Sequence, residues 1–258
     1  MFPTLLRLGE FRLAAYGAFT AAGYLLGIVY LNSQRERLGL GEEKFWRLIY
    51  AVFFGALAGG KLAYLAVSWR ELSIDGASLL ELLRSGFVFY GGFAGALIAG
   101  ALMARRIRLP FWPSADLFAL ALPLGHAVGR LGCLAAGCCF GRMTTLPWGV
   151  RFTHPESLVE EALRGLPLHP VQLYESLGNF ALAGAAALAL RQARERKLRP
   201  GSVFLGYVLS YAAMRFFVEQ LRADYRGGMF LGLSLSQGIA TLLFAGSAAL
   251  LIRRGVRP

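Results

Sequence analysis

Apolar segments of about 17–24 residues recur seven times along this chain of 258 residues, at about 13–32, 48–67, 86–104, 115–135, 171–190, 202–220 and 230–252. Helices of that length match the hydrocarbon thickness of a bilayer. Inside lipid a spanning segment must satisfy its own backbone hydrogen bonds, which a helix does. The pattern predicts an all-α membrane protein with seven transmembrane helices, forming one transmembrane domain over residues 1–258. With 56% of its residues hydrophobic and only 16% charged, the chain lacks the polar surface that a soluble domain of this length needs. Gly55-x-x-x-Gly59 and Gly91-x-x-x-Gly95 put small residues on one helix face, where two backbones can approach closely.

A net charge of +12 suits nucleic acid in principle, but its placement argues against that partner. Arg35, Arg37, Lys44 and Arg47 follow the first span, and Arg105, Arg106 and Arg108 follow the third. Arg191, Arg194, Arg196, Lys197 and Arg199 follow the fifth; Arg253, Arg254 and Arg257 follow the last. Basic residues in alternate short connections mark the cytoplasmic side and suit contact with anionic lipid. The N-terminus is then expected outside and the C-terminus in the cytoplasm. No cleavable signal peptide is expected, so the first span stays as an anchor. The connections 68–85 and 136–170 are long and external. Within the second, residues 156–164 are expected to form a short amphipathic helix at the interface.

This orientation places the polar residues of the spans at one depth. Tyr16 lies near the outer end of span one and Lys61 in the outer half of span two. Tyr90, Gly91 and Gly92 open span three, and His126 and Arg130 end span four. His169, Gln172, Tyr174 and Glu175 enter span five. Tyr211, Arg215 and Glu219 recur at helical spacing in span six, with Arg222 one turn on. Ionisable groups in lipid are costly and mark functional sites. Their convergence predicts a polar chamber of an enzyme that acts on lipid. Plainer roles exist for some of them. Arg215 and Glu219 can neutralise each other, Lys61 can snorkel, and Tyr16 and Tyr90 can be interfacial aromatics. Arg130 has no carboxylate at helical spacing, and its guanidinium suits bidentate recognition of a phosphate.

These residues resemble those of a known family, the prolipoprotein diacylglyceryl transferases of bacterial inner membranes. Tyr16-Gly17, Gly59-Gly60-Lys61 and the stretch from Ser85 to Gly92 are similar to family blocks. So are Gly129-Arg130-Leu131-Gly132 followed by Gly141-Arg142, then Pro147-Trp148-Gly149 and His169-Pro170-x-Gln172-Leu173-Tyr174-Glu175. Tyr211, Arg215-Phe216, Glu219 and Arg222 resemble the pattern of span six. The resemblance implies seven spans with the N-terminus outside. It also implies transfer of the diacylglyceryl group of phosphatidylglycerol, or a related phospholipid, to the thiol of a lipobox cysteine in a prolipoprotein signal peptide, with release of glycerol phosphate. The site would face the outer leaflet of the inner membrane. Arg130, Arg215, Tyr211, Tyr90, His126 and Cys138 would then be catalytic. Tyr16, Lys61, Gly91, Gly92, Gly141, Arg142, His169, Gln172, Tyr174, Glu175, Glu219 and Arg222 would bind lipid. A divergent paralogue with another acceptor, or a lipid-binding protein without turnover, are the alternatives.

Departures from the family pattern cluster where the chemistry falls. Its Asn-Phe-x-Asn-x-Glu is replaced here by Cys133-Leu134-Ala135-Ala136-Gly137-Cys138, and its histidine before Gly-Gly by Tyr90. A phenol with an ordinary pKa near 10 is a weak resting base, so His126, one turn from Arg130, becomes the candidate base. Cys133, Cys138 and Cys139 admit several roles. They can be small apolar packing or a carrier of the lipid group. Cys133 can pair with Cys138 or Cys139, although helical geometry would hold them apart. A Cys-x4-Cys-Cys spacing is unusual for metal ligands. No metal and no cofactor is expected.

Overall fold

The computed structural model describes residues 1–9, 11–69, 86–196, 198–223, 229–230 and 232–255. Seven long α-helices run through the described residues: α1 Ala15–Ser33, α2 Glu42–Val67, α3 Phe89–Arg106, α4 Phe111–Ala136, α5 Val171–Arg196, α6 Ser202–Glu219 and α7 Leu235–Gly255. Four of them contain segments long and apolar enough to cross a membrane: Glu42–Val67, Phe111–Ala136, Val171–Ala193 and Leu235–Gly255. This is a mostly helical, multi-pass membrane protein. Glu42 and Glu43 occupy the first turn of α2, whereas Arg105 and Arg106 end α3 and Arg253 and Arg254 end α7. Each charge opposes the partial charge of its helix terminus.

The chain divides into two compact units, residues 32–111 and residues 1–31 with 112–258. In the first, α2 packs on α3 through the glycines marked by spacing. A Cβ on Gly59 would lie 2.3 Å from the Gly91 carbonyl oxygen, and one on Gly95 would lie 2.2 Å from that of Gly55. No side chain fits there, so the two backbones touch as small-residue packing allows. Gly59→Val should force the pair apart and lower the unfolding midpoint in detergent, by an amount typical of severe overpacking, about 1–3 kcal/mol or more. Thermal unfolding followed by circular dichroism would measure it. Lys61, also in this unit, donates to the Gly86 carbonyl at 3.0 Å.

In the second unit, α1 lies against α4 at another glycine pair, where a Cβ on Gly23 would meet the Gly125 carbonyl oxygen at 2.5 Å. The carboxylate of Asp116 on α4 accepts from the backbone of Gly201 at 2.6 Å and Phe204 at 2.9 Å, satisfying the first amides of α6. Ser176 on α5 donates to the Ala127 carbonyl of α4 at 2.9 Å. Three small antiparallel pairs complete this unit: β1 Thr4–Leu8 with β2 Phe11–Ala14, β3 Val150–Arg151 with β4 Pro167–Leu168, and β5 Met229–Phe230 with β6 Leu233–Ser234.

The connection from α4 to α5 has its own apolar core of Phe140, Phe152, Val159 and Leu168. That core overrides the helix expected at 156–164, where only a 3-10 turn, Glu161–Leu163, forms. The amide of Leu158 goes to the Ala136 carbonyl, at 3.0 Å, and that of Gly165 to Phe152, at 3.0 Å. Val159 turns into the cluster while Leu158 stays exposed, and one amphipathic face cannot satisfy both. The last helix also begins later than the expected 230, at Leu235, because β5 and β6 occupy the preceding residues.

Candidate functional site

Glu175 is the centre of the polar site. Its side chain is fully buried near the start of α5. One carboxylate oxygen pairs with Arg130 of α4 and lies 3.9 Å from Nε2 of His126. The other meets Nη1 of Arg215 at 3.5 Å and Nη1 of Arg222 at 3.1 Å. Glu219 then ties the last two together, 2.5 Å from Arg215 and 3.8 Å from Arg222. Ser236 accepts from Arg215 at 3.3 Å, and Ser234 donates to Glu219 at 3.1 Å. The side chains of Arg130, Arg215 and Arg222 are nearly or fully buried.

Arg130 therefore does have a carboxylate partner, which corrects the expectation from helical spacing. Spacing along one helix cannot reveal an acid 45 residues away on another. The partnership is incomplete, because the buried Nε–H of Arg130 has no acceptor among the described residues. A buried donor left unmade is costly, and here it sits beside two further guanidinium groups. Two carboxylates, Glu175 and Glu219, hold the three guanidinium groups together. Arg215 and Glu219 do neutralise each other on α6, yet both also belong to this network.

The surrounding residues hold the frame. Gln172, fully buried, donates to the Cys138 carbonyl at 2.7 Å. Tyr174 Oη lies 3.3 Å from Nδ1 of His169 and accepts from Nε1 of Trp148 at 2.7 Å. Arg142 donates from Nε to the Arg222 carbonyl at 3.2 Å, and its amide donates to Leu221. Gly141 sits where a Cβ would clash with the His169 carbonyl oxygen at 2.6 Å. These contacts dock the loop after α4 onto α5 and the end of α6. The ring of Tyr211 lies 5.7 Å from that of His126. Tyr16 is half exposed at the start of α1, its backbone against Gly132. Lys61, Tyr90, Gly91 and Gly92 belong to the other unit; there Gly91 packs on Gly59, and Tyr90 is exposed.

The three cysteines converge, although helical geometry was expected to separate them. α4 ends at Ala136, and positive φ angles at Gly137 and Cys139 turn the chain back. All three sulfur atoms lie within 4.8 Å of one another, with Arg130 Nη1 3.9 Å from the Cys133 sulfur. Hydrogen bonds from Cys133 and Cys138, and then the Arg130 and Arg222 guanidinium groups, lower the pKa of the Cys139 thiol. Its hydrogen bonds to Cys133 and Cys139 raise that of Cys138. Reading along the sequence missed Trp148, Ser234 and Ser236 as supports. Trp148 had a signal in Pro147-Trp148-Gly149; the serines had none.

Comparison with known proteins identifies the family of this chain. Residues 3–253 match the family model described as prolipoprotein diacylglyceryl transferase. A phosphatidylglycerol–prolipoprotein diacylglyceryl transferase of Clostridium tetani is 34% identical over 240 residues, covering 93% of this chain and 92% of the relative. One from Bacillus mycoides is 32% identical over 219 residues, covering 84% and 80%. A second enzyme of that name from Clostridium perfringens is 31% identical over 239 residues, covering 93% and 90%. The family match spans all seven helices and the connection from α4 to α5, and on it this chain belongs to the prolipoprotein diacylglyceryl transferase family.

Proposed function

We propose that this protein transfers the diacylglyceryl group of phosphatidylglycerol to the cysteine thiol of a prolipoprotein and releases glycerol phosphate. The observation that carries the proposal is the set of three buried guanidinium groups gathered around Glu175, with the Nε–H of Arg130 lacking an acceptor among the described residues. A phosphodiester supplies the oxygens that such donors bind. As the carbon–oxygen bond breaks, charge grows on the departing phosphate, and preorganised donors in a dry site stabilise it. Glu175 keeps the arginines together before lipid arrives and yields part of its contact to the phosphate.

In this reading all seven helices cross the bacterial inner membrane within one transmembrane domain, with the N-terminus outside and the site level with the outer leaflet. The loop 136–170 is external, and a lipobox cysteine reaches the chamber from that side. Arg130, Arg215 and Arg222 hold the phosphate, and Tyr211 closes the wall beside His126. Gly141, Arg142, His169, Gln172 and Tyr174 shape the lipid site through the loop they dock, and Glu219 orients Arg215 and Arg222. Lys61, Gly91 and Gly92 bind lipid within their own unit, and Tyr16 does so from α1. The incoming thiol loses its proton on the α4 side of the site, where His126 and the cysteines stand.

Incubation of the purified protein with phosphatidylglycerol and a lipobox peptide tests the proposal. Mass spectrometry should find peptide carrying one diacylglyceryl group, and none on a peptide with serine in place of the lipobox cysteine. Unmodified cysteine peptide, from folded protein, would overturn it.

A further inference from the structure

Cys133, Cys138 and Cys139 form one cluster at the end of α4. We propose that Cys133, Cys138 and Cys139 bind one zinc ion whose fourth position takes the incoming prolipoprotein thiol and activates it as the thiolate. The reaction part rests on the transfer reading above; the metal site does not.

Four observations support a built site. Tetrahedral zinc with bonds to sulfur of about 2.3 Å needs sulfur atoms about 3.8 Å apart, and here three already lie within 4.8 Å. Small side-chain rotations close that gap, whereas a disulfide would use two of the thiols and leave the third. Cys139 adopts φ 60°, a left-handed conformation that is uncommon away from glycine. It persists only where the surroundings fix it, and it is what aims the last thiol back at Cys133. The loop is also held from outside, by Gln172 on the Cys138 carbonyl at 2.7 Å, and its own turn is closed by the amide of Cys138 on the Cys133 carbonyl at 3.2 Å. Cys133 is buried while Cys138 and Cys139 are partly exposed, so the cluster has a closed side and an approachable side.

Three protein ligands and one open position are the arrangement of catalytic zinc, whereas structural sites are closed by four. A thiol bound to zinc loses its proton outright. The incoming cysteine displaces water from the fourth position and its proton passes to solvent. The sulfur lone pair then forms the bond to the glyceryl carbon. The bond from that carbon to the phosphate oxygen breaks, its electron pair leaves on the oxygen, and glycerol phosphate departs. Arg130 is placed for the join, since its Nη1 stands 3.9 Å from the Cys133 sulfur. One guanidinium thus adjoins both the thiolate cluster and the proposed phosphate site.

The test titrates the full-length protein, reduced and in detergent, with cobalt(II) as a spectroscopic substitute and then with zinc(II). One equivalent of cobalt should bind with sulfur-to-metal charge-transfer absorption and intense tetrahedral bands, and zinc should displace it. A lipobox peptide should shift those bands, whereas its serine counterpart should not. Cys139→Ser, checked for helix content, should weaken zinc binding by about 10–100-fold or more. Absence of stoichiometric metal, an intact mass two hydrogens lighter that shows a Cys133 disulfide, or cobalt bands indifferent to the peptide thiol would each overturn the inference. The two proposals fail separately. Metal-free protein that still modifies the peptide removes the zinc and leaves the transferase. Cobalt that answers the thiol without any diacylglyceryl product removes the transferase reaction and leaves the thiol-binding metal site.

Discussion

Glu175→Gln should be among the most destabilising single substitutions in the protein. It keeps the shape of the side chain and removes the one negative charge that, among the described residues, pairs with all of Arg130, Arg215 and Arg222. Breaking a buried ion pair on one side costs about 3–5 kcal/mol, because the other charge stays behind in a poor solvent. Three guanidinium groups are left here, with Glu219 beside only two of them. The unfolding midpoint in detergent should fall clearly below that of the parent. A second substitution, Arg130→Gln, should recover part of the loss, since it removes one of the stranded charges and the two sites are in contact. Parent-like stability of the single variant would mean that the arginines do not depend on this carboxylate.

The same variant separates an anion site from a merely structural network. A phosphodiester that enters the arginine cluster replaces the missing charge, so phosphatidylglycerol should restabilise Glu175→Gln more than it does the parent. A ligand at about one hundred times its dissociation constant contributes about 2.7 kcal/mol, enough to offset most of the expected loss. Diacylglycerol, with the same chains and no phosphate, should not do so. Equal effects of the two lipids would remove the phosphate from the argument.

Long-range convergence is what the sequence could only outline. Apolar length located the helices, but it could not see polar first turns. α2 begins at Glu42 and not near 48, because Glu42, Glu43, Lys44 and Arg47 are hydrophilic yet helical. The Gly-x-x-x-Gly faces of α2 and α3 were legible because close backbone approach depends on residue size alone. Arg130, Arg215, Glu219 and Arg222 were legible as a polar layer, while the hub role of Glu175 was not. Its partners come from α4, α6 and the turn beyond α6, and no periodicity links them. The cysteine cluster was hidden for a similar reason. A straight helix through Cys133 would carry the next thiols away, and only the left-handed turn at Gly137 and Cys139 brings them back. The hairpin of β1 and β2 gave little signal, being two short runs with arginines among the leucines.

Arg130→Ala should abolish most of the transfer while leaving the protein folded. Glu175 keeps two other guanidinium partners in that variant, so its charge is still compensated, unlike the arginines when Glu175 is lost. What disappears is a group that touches both Glu175 and the Cys133 thiol, together with an Nε–H that has no acceptor among the described residues. Loss of a donor aimed at developing charge costs about 10²–10³-fold in turnover. Binding of phosphatidylglycerol should weaken less than turnover, because Arg215 and Arg222 remain to hold the phosphate. Arg130→Lys is the sharper control: it keeps the charge but loses the planar fork that can serve a carboxylate and a phosphate at once. It should resemble the alanine variant in turnover and the parent in stability. Turnover restored by lysine would show that Arg130 acts as a point charge, and a folded alanine variant with full turnover would remove it from the site.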